Sequence, residues 1–210
     1  MRTLIAIPCM DMMHTPFVIS LTGLKVKGEI KFAYSASSLV YDSRNGLARK
    51  AIVEKFDRVL WLDSDMQFSP DLFQRLNEDL DEGRDFVSGL YFTRKPPHKP
   101  VIFSEAGYKH IGEQGVKPYA TTMHEYPKDS VFEIAAAGFG GLMMNVSLLK
   151  EVEERYGLPF APIMGFGEDL SFCLRVADMG KKMYCDSRVK MGHVGQFVFD
   201  EESCKGVTDA

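Results

Sequence analysis

Apolar residues along this chain follow two rhythms, and the switches between them mark out its elements. Leu4 to Ile7 and Val59 to Leu62 are unbroken apolar runs, the pattern of strands covered on both faces. Pro8 is expected to end the first. Ile30, Phe32 and Tyr34 alternate with polar or small residues, giving a second strand. Between these, Phe17, Val18, Leu21 and Leu24 recur at helical spacing behind Thr15-Pro16, a cap with proline at the first helical position, and Gly28 closes the element. Asp42 to Phe56 sets Leu47, Ala48, Ala51, Ile52 and Phe56 on one helical face. Ser69-Pro70 opens another helix, with Leu72, Phe73, Leu76 and Leu80 inside and Gly83 at its end, and Asp85 to Leu90 is the next strand. Up to residue 90 the order is that of a doubly wound, mainly parallel sheet.

Residues 91 to 134 lose this rhythm. Pro96, Pro97, Pro100, Pro118 and Pro127 punctuate short apolar pieces, which predicts loops and small antiparallel strands. Ala135 to Gly141 is a small-residue turn entering a strand from Leu142 to Val146. Ser147 caps a helix to Tyr156, and Gly157 ends it. Pro159 to Gly167 is a loop. Glu168-Asp169 starts a helix carrying Leu170, Cys173, Leu174, Val176 and Ala177, closed by Gly180. Met183 to Cys185 is a strand, Met191 to Gly195 carries His193, and the tail, 196–210, is polar and frayed from Asp200 on.

Composition narrows the classes. The chain has 210 residues and a net charge of −4, from 25 basic and 29 acidic side chains, without the strong positive balance of a nucleic-acid footprint. No apolar stretch reaches the roughly 20 residues of a membrane span, and Pro8 interrupts the only apolar run near the N-terminus that could act as a leader. Cys9, Cys173, Cys185 and Cys204 show no CxxC spacing. They predict reduced, mostly buried thiols in a cytoplasmic protein and no zinc site.

The chemistry gathers at the end of the Val59–Leu62 run. Asp63-Ser64-Asp65 places two carboxylates one residue apart at a strand's C-terminal end, where open α/β sheets bind ligands. Asp, Ser and Asp are also ordinary turn formers. As ligands they would share one hard cation, since two such acids repel unless positive charge lies between them. His193, set between glycines, is a second candidate ligand, and an Asp65–His193 pair suits manganese better than calcium. Ser43-Arg44-Asn45 opens a helix and is either a solvated cap or a grip on phosphate or a base. Glu168 and Asp169 suit a helix N-terminus by charge alone, and either could act as a general base facing a cleft. Gly138 to Gly141 is either a tight turn or an open approach for a sugar. Trp61 belongs in the core.

Taken in order, these pieces resemble the GT-A glycosyltransferases, especially the inverting family 2 type in the compact form found in bacteriophages and some bacteria. The match runs from residue 3 to 193: Ile7-Pro8, Arg44-Asn45, Asp63-Ser64-Asp65 with Ser69-Pro70-Asp71, Ala137 to Met144, Gly167-Glu168-Asp169-Leu170 with Arg175, and His193. Cys9-Met10-Asp11 stands where the family has Thr/Tyr-Asn, and no long C-terminal acceptor region follows. The resemblance implies a single GT-A domain, with a mixed, mainly parallel sheet flanked by helices and a small antiparallel acceptor-side region. Residues 1–90 would form the nucleotide-binding half and 91–195 the acceptor-side half. It implies transfer from a nucleotide diphosphate sugar, UDP-sugar favoured, to the hydroxyl of a glycan, a modified nucleobase or a protein, with inversion, although some retaining enzymes share the fold and metal site. Pro8, Asp11, Ser43 and Arg44 would border the nucleotide, with Ser64 in the donor site and Asp63 near ribose or sugar. Asp65 and His193, with Asp63 beside them, would hold Mn2+ or Mg2+. Asp169 would be the base, and Glu168 would orient it or bind the acceptor. Segments 91–134 and 158–167 would contact the acceptor and close over it.

Three rivals share some of these features. A nucleotidyltransferase would carry a glycine-rich loop after the first strand, and Pro8 to Met13 has no glycine. A haloacid-dehalogenase-type phosphatase places its Asp-x-Asp after the first strand, not the third. A catalytically silent nucleotide-sugar-binding module would keep the same acids and differ only in turnover.

Overall fold

The computed structural model of the protein describes residues 1–112 and 115–195; the tail expected from 196 to 210 lies outside the described residues. Seven strands form the central sheet: β1 (Arg2–Cys9), β2 (Glu29–Ala36), β3 (Arg58–Leu62), β5 (Phe86–Leu90), β8 (Val131–Ile134), β10 (Gly141–Asn145) and β11 (Met183–Lys190). Their order is β2-β1-β3-β10-β5-β11-β8. β1 is parallel to β2 and β3, and β11 to β5. β10 is antiparallel to both β3 and β5, so β2, β1, β3, β5 and β11 share one direction and β10 and β8 oppose it. The sheet is therefore mixed and mainly parallel, as expected.

The unbroken apolar runs have a direct cause. In β1, Leu4 and Ala6 face a core shared with α2 (Val40–Val53), α4 (Val146–Tyr156) and α5 (Glu168–Asp178), while Ile5 and Ile7 face α1 (Thr15–Thr22) and α3 (Leu72–Asp81). In β3, Val59 and Trp61 take the first side, Leu60 and Leu62 the second. Alternate residues point to opposite faces and both faces are covered, so every position is apolar.

Three boundaries differ from expectation. Pro8 stays inside β1, opposite Ser35 of β2. On the other side the ladder to β3 stops at Ala6, so proline falls where one flank of the strand has already left the sheet. α1 ends at Thr22, because the Gly23 amide closes back on the Ile19 carbonyl (3.2 Å) and the Leu24 amide on the Leu21 carbonyl (3.3 Å). Gly28, at φ +94°, turns the chain into β2; a Cβ there would lie 2.8 Å from the Met1 carbonyl oxygen. β11 runs on to Lys190 through the buried polar pair Asp186 and Ser187, which hid it from a hydrophobicity pattern.

β6 (Ile102–His110) and β7 (Val116–Thr122) form an antiparallel hairpin, and β9 (Ala136–Ala137) pairs with β6 to complete a second, three-stranded sheet. The loop 158–167 is tied down beside it. Arg175 donates to the carbonyls of Pro159 and Ala161 (3.2 and 2.7 Å), Ser171 Oγ accepts from Ile163 (2.8 Å), and the Tyr108 hydroxyl donates to the Met164 carbonyl (2.9 Å). These bonds brace the segment against α5 and the β6–β7 hairpin.

Asp79 of α3 and Asp186 of β11 are buried together, with Arg188 spanning them at 2.9 and 2.8 Å. The second oxygen of each carboxylate has no hydrogen-bond partner among the described residues. Burial, then the Asp186 charge, pushes Asp79 up to about 7 against the pull of Arg188 and Arg84. A folded-state pKa above the unfolded value of about 3.9 contributes stability that is lost as pH rises toward the folded value. Asp79→Asn, whose amide can donate to Asp186, is expected to raise the melting temperature by a few degrees at pH 8 and by less at pH 5. A gain that does not change with pH would rule out a shared proton.

Candidate active site

β3 ends at Leu62 and delivers Asp63-Ser64-Asp65 to the C-terminal edge of the sheet. Each residue of the turn is fastened to a different segment. The Asp63 amide donates to the Gly140 carbonyl (3.0 Å), the Ser64 carbonyl accepts from His14 (3.1 Å), and the Asp65 carbonyl accepts from Val194 (2.8 Å). The short strands β4 (Met66–Gln67) and β12 (Gly192–His193) pair antiparallel, setting His193 opposite Met66. That pairing carries His193 Nε2 to 3.4 Å from Asp65 Oδ2.

The imidazole is oriented by its other nitrogen. Nδ1 lies 2.9 Å from the Phe92 carbonyl oxygen, which can only accept, so Nδ1 carries hydrogen and Nε2 faces Asp65. Arg94 reaches the same carboxylate oxygen, with Nη1 3.0 Å from Oδ2. Burial alone would raise the Asp65 pKa, but the His193 hydrogen bond and the two cationic neighbours hold it below the usual carboxylate range. Asp65 in turn raises His193 above its ordinary value.

Asp63 faces inward. Both its oxygens accept from Arg44 Nη2, at 2.9 and 3.2 Å, while Arg44 Nε donates to Glu168 Oε1 at 3.2 Å. The guanidinium rests over the rings of Phe139 and Trp61, 5.2 and 5.8 Å from their centroids. Below it Trp61, Phe139, Phe160 and Phe172 interlock, with Phe160 stacked on Phe172 and the Phe139 ring edge-on to both. Burial would lower the Arg44 pKa, but Asp63 and Glu168 outweigh it and keep the side chain charged. Burial pushes Asp63 up against the pull of Arg44.

Asp169 follows Glu168 in the first turn of α5, where its Oδ1 accepts from the Leu170 amide at 2.7 Å. Burial, then the Glu168 charge, pushes Asp169 up to about 6. A carboxylate in that range is matched to taking up a proton near neutral pH.

A cleft of about 380 Å3 is lined by Pro8, Ser43, Asp63, Ser64 and Asp65, together with Cys9, Met10, Ser37, Ser38, Val40 and Arg94. Five residues singled out in the sequence therefore share one hollow. Ser43 presents little of its hydroxyl there, which donates to the Ser35 carbonyl at 3.1 Å. Asp11 lies in an adjoining hollow with Met12, Met13 and Tyr34. Arg94, Ser37 and Ser38 were not picked out. Arg94 had a signal, since residues 86 to 104 contain no Asp or Glu but carry Arg94, Lys95 and Lys99. The serines are turn residues with no pattern to mark them.

The glycines at 138 to 141 make room for neighbouring side chains. A Cβ on Gly138 would overlap the Tyr91 hydroxyl, and one on Gly141 would overlap Met191. The Gly140 amide donates to that hydroxyl at 3.3 Å. Tyr91 and Met191 thus occupy the space that a sugar would need to approach this backbone.

Asp65 and His193 form a pair of potential metal ligands. Among the described residues no group of three or more His, Cys, Asp or Glu side chains converges as a metal site. A pair still fits Mg2+ or Mn2+ held jointly with a diphosphate, because such ions keep several places for phosphate oxygens and water.

At the level of sequence, no family profile and no curated protein matches this chain. Solved structures do. The crystal structure of A197 from STIV superposes with a TM-score of 0.65 at 18% identity, over 93% of this chain and 87% of that one. GalNAc-T7 with UDP, GalNAc and Mn2+ superposes with a TM-score of 0.59 at 12% identity, over 93% of this chain. This chain spans 43% of that structure's chain. The likeness establishes the fold, a mixed α/β sheet flanked by helices as in GT-A glycosyltransferases.

Removing Arg44 would leave Asp63 and Glu168 facing each other without a cation. Arg44→Ala is expected to cost about 3 kcal/mol in urea unfolding, within the range for breaking a buried ion pair from one side. A cost below about 1 kcal/mol, the ceiling for exposed pairs, would show that the bridge is not structural.

Proposed function

We propose that this protein is a glycosyltransferase that moves a sugar from a nucleotide diphosphate sugar, UDP-sugar favoured, to an acceptor hydroxyl. The observation that carries the reading is Asp65 at the sheet's C-terminal edge joined by His193, on a GT-A fold. The cleft beside it takes the nucleotide, between the β1 end at Pro8, the Ser37-Ser38 turn and the start of α2. Asp63, fixed by Arg44, borders the ribose or sugar. Ser64 lines the same wall, and Asp11 stands at the outer rim.

Asp65 Oδ2 and His193 Nε2 would hold Mn2+ or Mg2+ at the diphosphate, where the ion offsets the charge that builds on the leaving group. Arg94 shares that oxygen and would be displaced from it. Asp169 accepts the acceptor's hydroxyl proton as the acceptor oxygen bonds to the anomeric carbon. The bond from that carbon to the diphosphate oxygen breaks, its electron pair leaves with the nucleotide, and the anomeric configuration inverts. Glu168 holds Arg44 and so fixes the N-terminal turn from which Asp169 projects. Segment 91–134 and the braced 158–167 loop supply walls on the acceptor side, and the acceptor is a glycan, a modified nucleobase or a protein.

We place the protein in the cytoplasm. Cys9, Cys173 and Cys185 are free thiols, the state that a reducing compartment maintains.

UDP with Mn2+ is expected to raise the melting temperature of the wild type, since a ligand that binds only the folded state stabilises it. Asp65→Ala should abolish the shift; a shift that persists in this variant would remove Asp65 from the donor site. Asp169→Asn should keep the UDP shift but lower transfer by about 10²- to 10⁴-fold, and full transfer in that variant would sink the proposed base. Because the base must be ionised, wild-type turnover should rise with pH through about 6, the value set by burial of Asp169 beside Glu168. A module that only binds would show the UDP shift with no turnover at any pH.

A further inference from the structure

A second and larger cavity, about 820 Å3, lies on the other side of Arg94 from the nucleotide cleft. Its wall is the segment Thr93–Lys99, which contributes Thr93, Arg94, Lys95, Pro96, Pro97 and Lys99; Tyr91 and Val101 form its apolar side, and His14, His193 and Gly195 complete the lining. No carboxylate lines it. Lys95 and Lys99 are exposed and make no ion pair among the described residues, whose ion pairs otherwise engage many of the chain's lysines. The protein as a whole carries a charge of −4, yet nothing acidic occurs from residue 86 to 104. Cations gathered in a concave wall without counter-charge concentrate anions there.

Two features place this cavity on the reaction path. His193 lines it while turning Nε2 toward Asp65, so the cavity adjoins the donor's diphosphate end. Arg94 lines both hollows, so the two are neighbours divided by one side chain. The segment itself is anchored. Thr93 donates its amide to the Lys99 carbonyl (2.9 Å), the Lys99 amide donates to Thr93 Oγ1 (3.0 Å), and Val101 donates to Tyr91 (3.0 Å). The two lysines are thus held by a closed loop rather than by a free strand of chain.

We infer that this cavity takes an anionic end of the acceptor, a phosphate or carboxylate group that Lys95 and Lys99 engage, while the reacting hydroxyl lies outside it, since no carboxylate lines it. The inference rests on the glycosyltransferase reading for the word acceptor; the anion site rests on the cavity alone. The apolar side formed by Tyr91, Pro96, Pro97 and Val101 packs against the acceptor's ring or carbon skeleton, while the lysines take its charge.

Calorimetric titration tests this on the full chain saturated with UDP and Mn2+, so that the donor cleft is filled. The probes are glucose 6-phosphate, the dinucleotide dTpdT, glucuronate and neutral glucose. At least one anionic probe should bind, more weakly as salt is raised, and glucose should not. Which probe binds separates a phosphomonoester, a phosphodiester and a carboxylate. The double variant Lys95→Ala/Lys99→Ala should weaken that probe about tenfold, equivalent to roughly 1.4 kcal/mol, and leave UDP affinity within about twofold. No anionic binding at millimolar concentration, equal binding of glucose, or binding unchanged in the double variant would overturn the anion site. A parallel loss of UDP affinity in the double variant would also overturn it, by assigning the lysines to the donor's own diphosphate. Failure of UDP to bind the wild type would instead count against the glycosyltransferase reading, and repeating the titration without nucleotide would then decide the anion site independently.

Discussion

Asp63 and Glu168 stand 105 positions apart in the sequence and face the same buried cation. The rest of the site depends on that arrangement. Arg44 is almost wholly enclosed, seated on aromatic rings, and supplies the positive charge between the two acids. The bridge joins the end of a central strand to the first turn of α5, tying the turn that carries Asp65 to the one that carries Asp169. Preorganised charge of this kind needs no rearrangement when a reaction begins.

The two acids of the Asp63-Ser64-Asp65 turn therefore have different roles, although the sequence spells them alike. Asp63 is turned into the protein and neutralised by a fixed guanidinium. Asp65 is turned outward and shares one oxygen between an imidazole and Arg94, whose side chain is about half exposed. The first arrangement resists exchange with solvent or ligand, and the second invites it. A cation or a diphosphate can replace a solvent-screened arginine at modest cost, because exposed pairs contribute little.

Much of this was legible in the sequence wherever one local rule acted alone. The apolar runs of β1 and β3 announced a sheet covered on both sides, and their end marked where Asp63 to Asp65 leave the sheet. What could not be read was pairing at a distance. Nothing near Arg44 says that its partners are Asp63 and Glu168 rather than solvent. Nothing near Gly138 says that a tyrosine from β5's far end fills the space beside it. β11 was cut short because Asp186 and Ser187 break the apolar pattern, and only the partner Asp79, more than 100 positions away, explains why polar residues sit inside a strand. Arg94 was overlooked because a proline-rich stretch reads as connection, whereas its lack of carboxylates was the informative feature.

The clasp between β4 and β12 has a consequence for the order in which the molecule becomes competent. Asp65 and His193 are separated by 128 positions, and their meeting depends on a two-residue strand pair near the end of the described chain. During synthesis β1 to β4 emerge while His193 is still inside the ribosome. A nascent chain at that stage presents Asp65 without its imidazole partner. Among the described elements the last to emerge, β12, is the one that completes the pair.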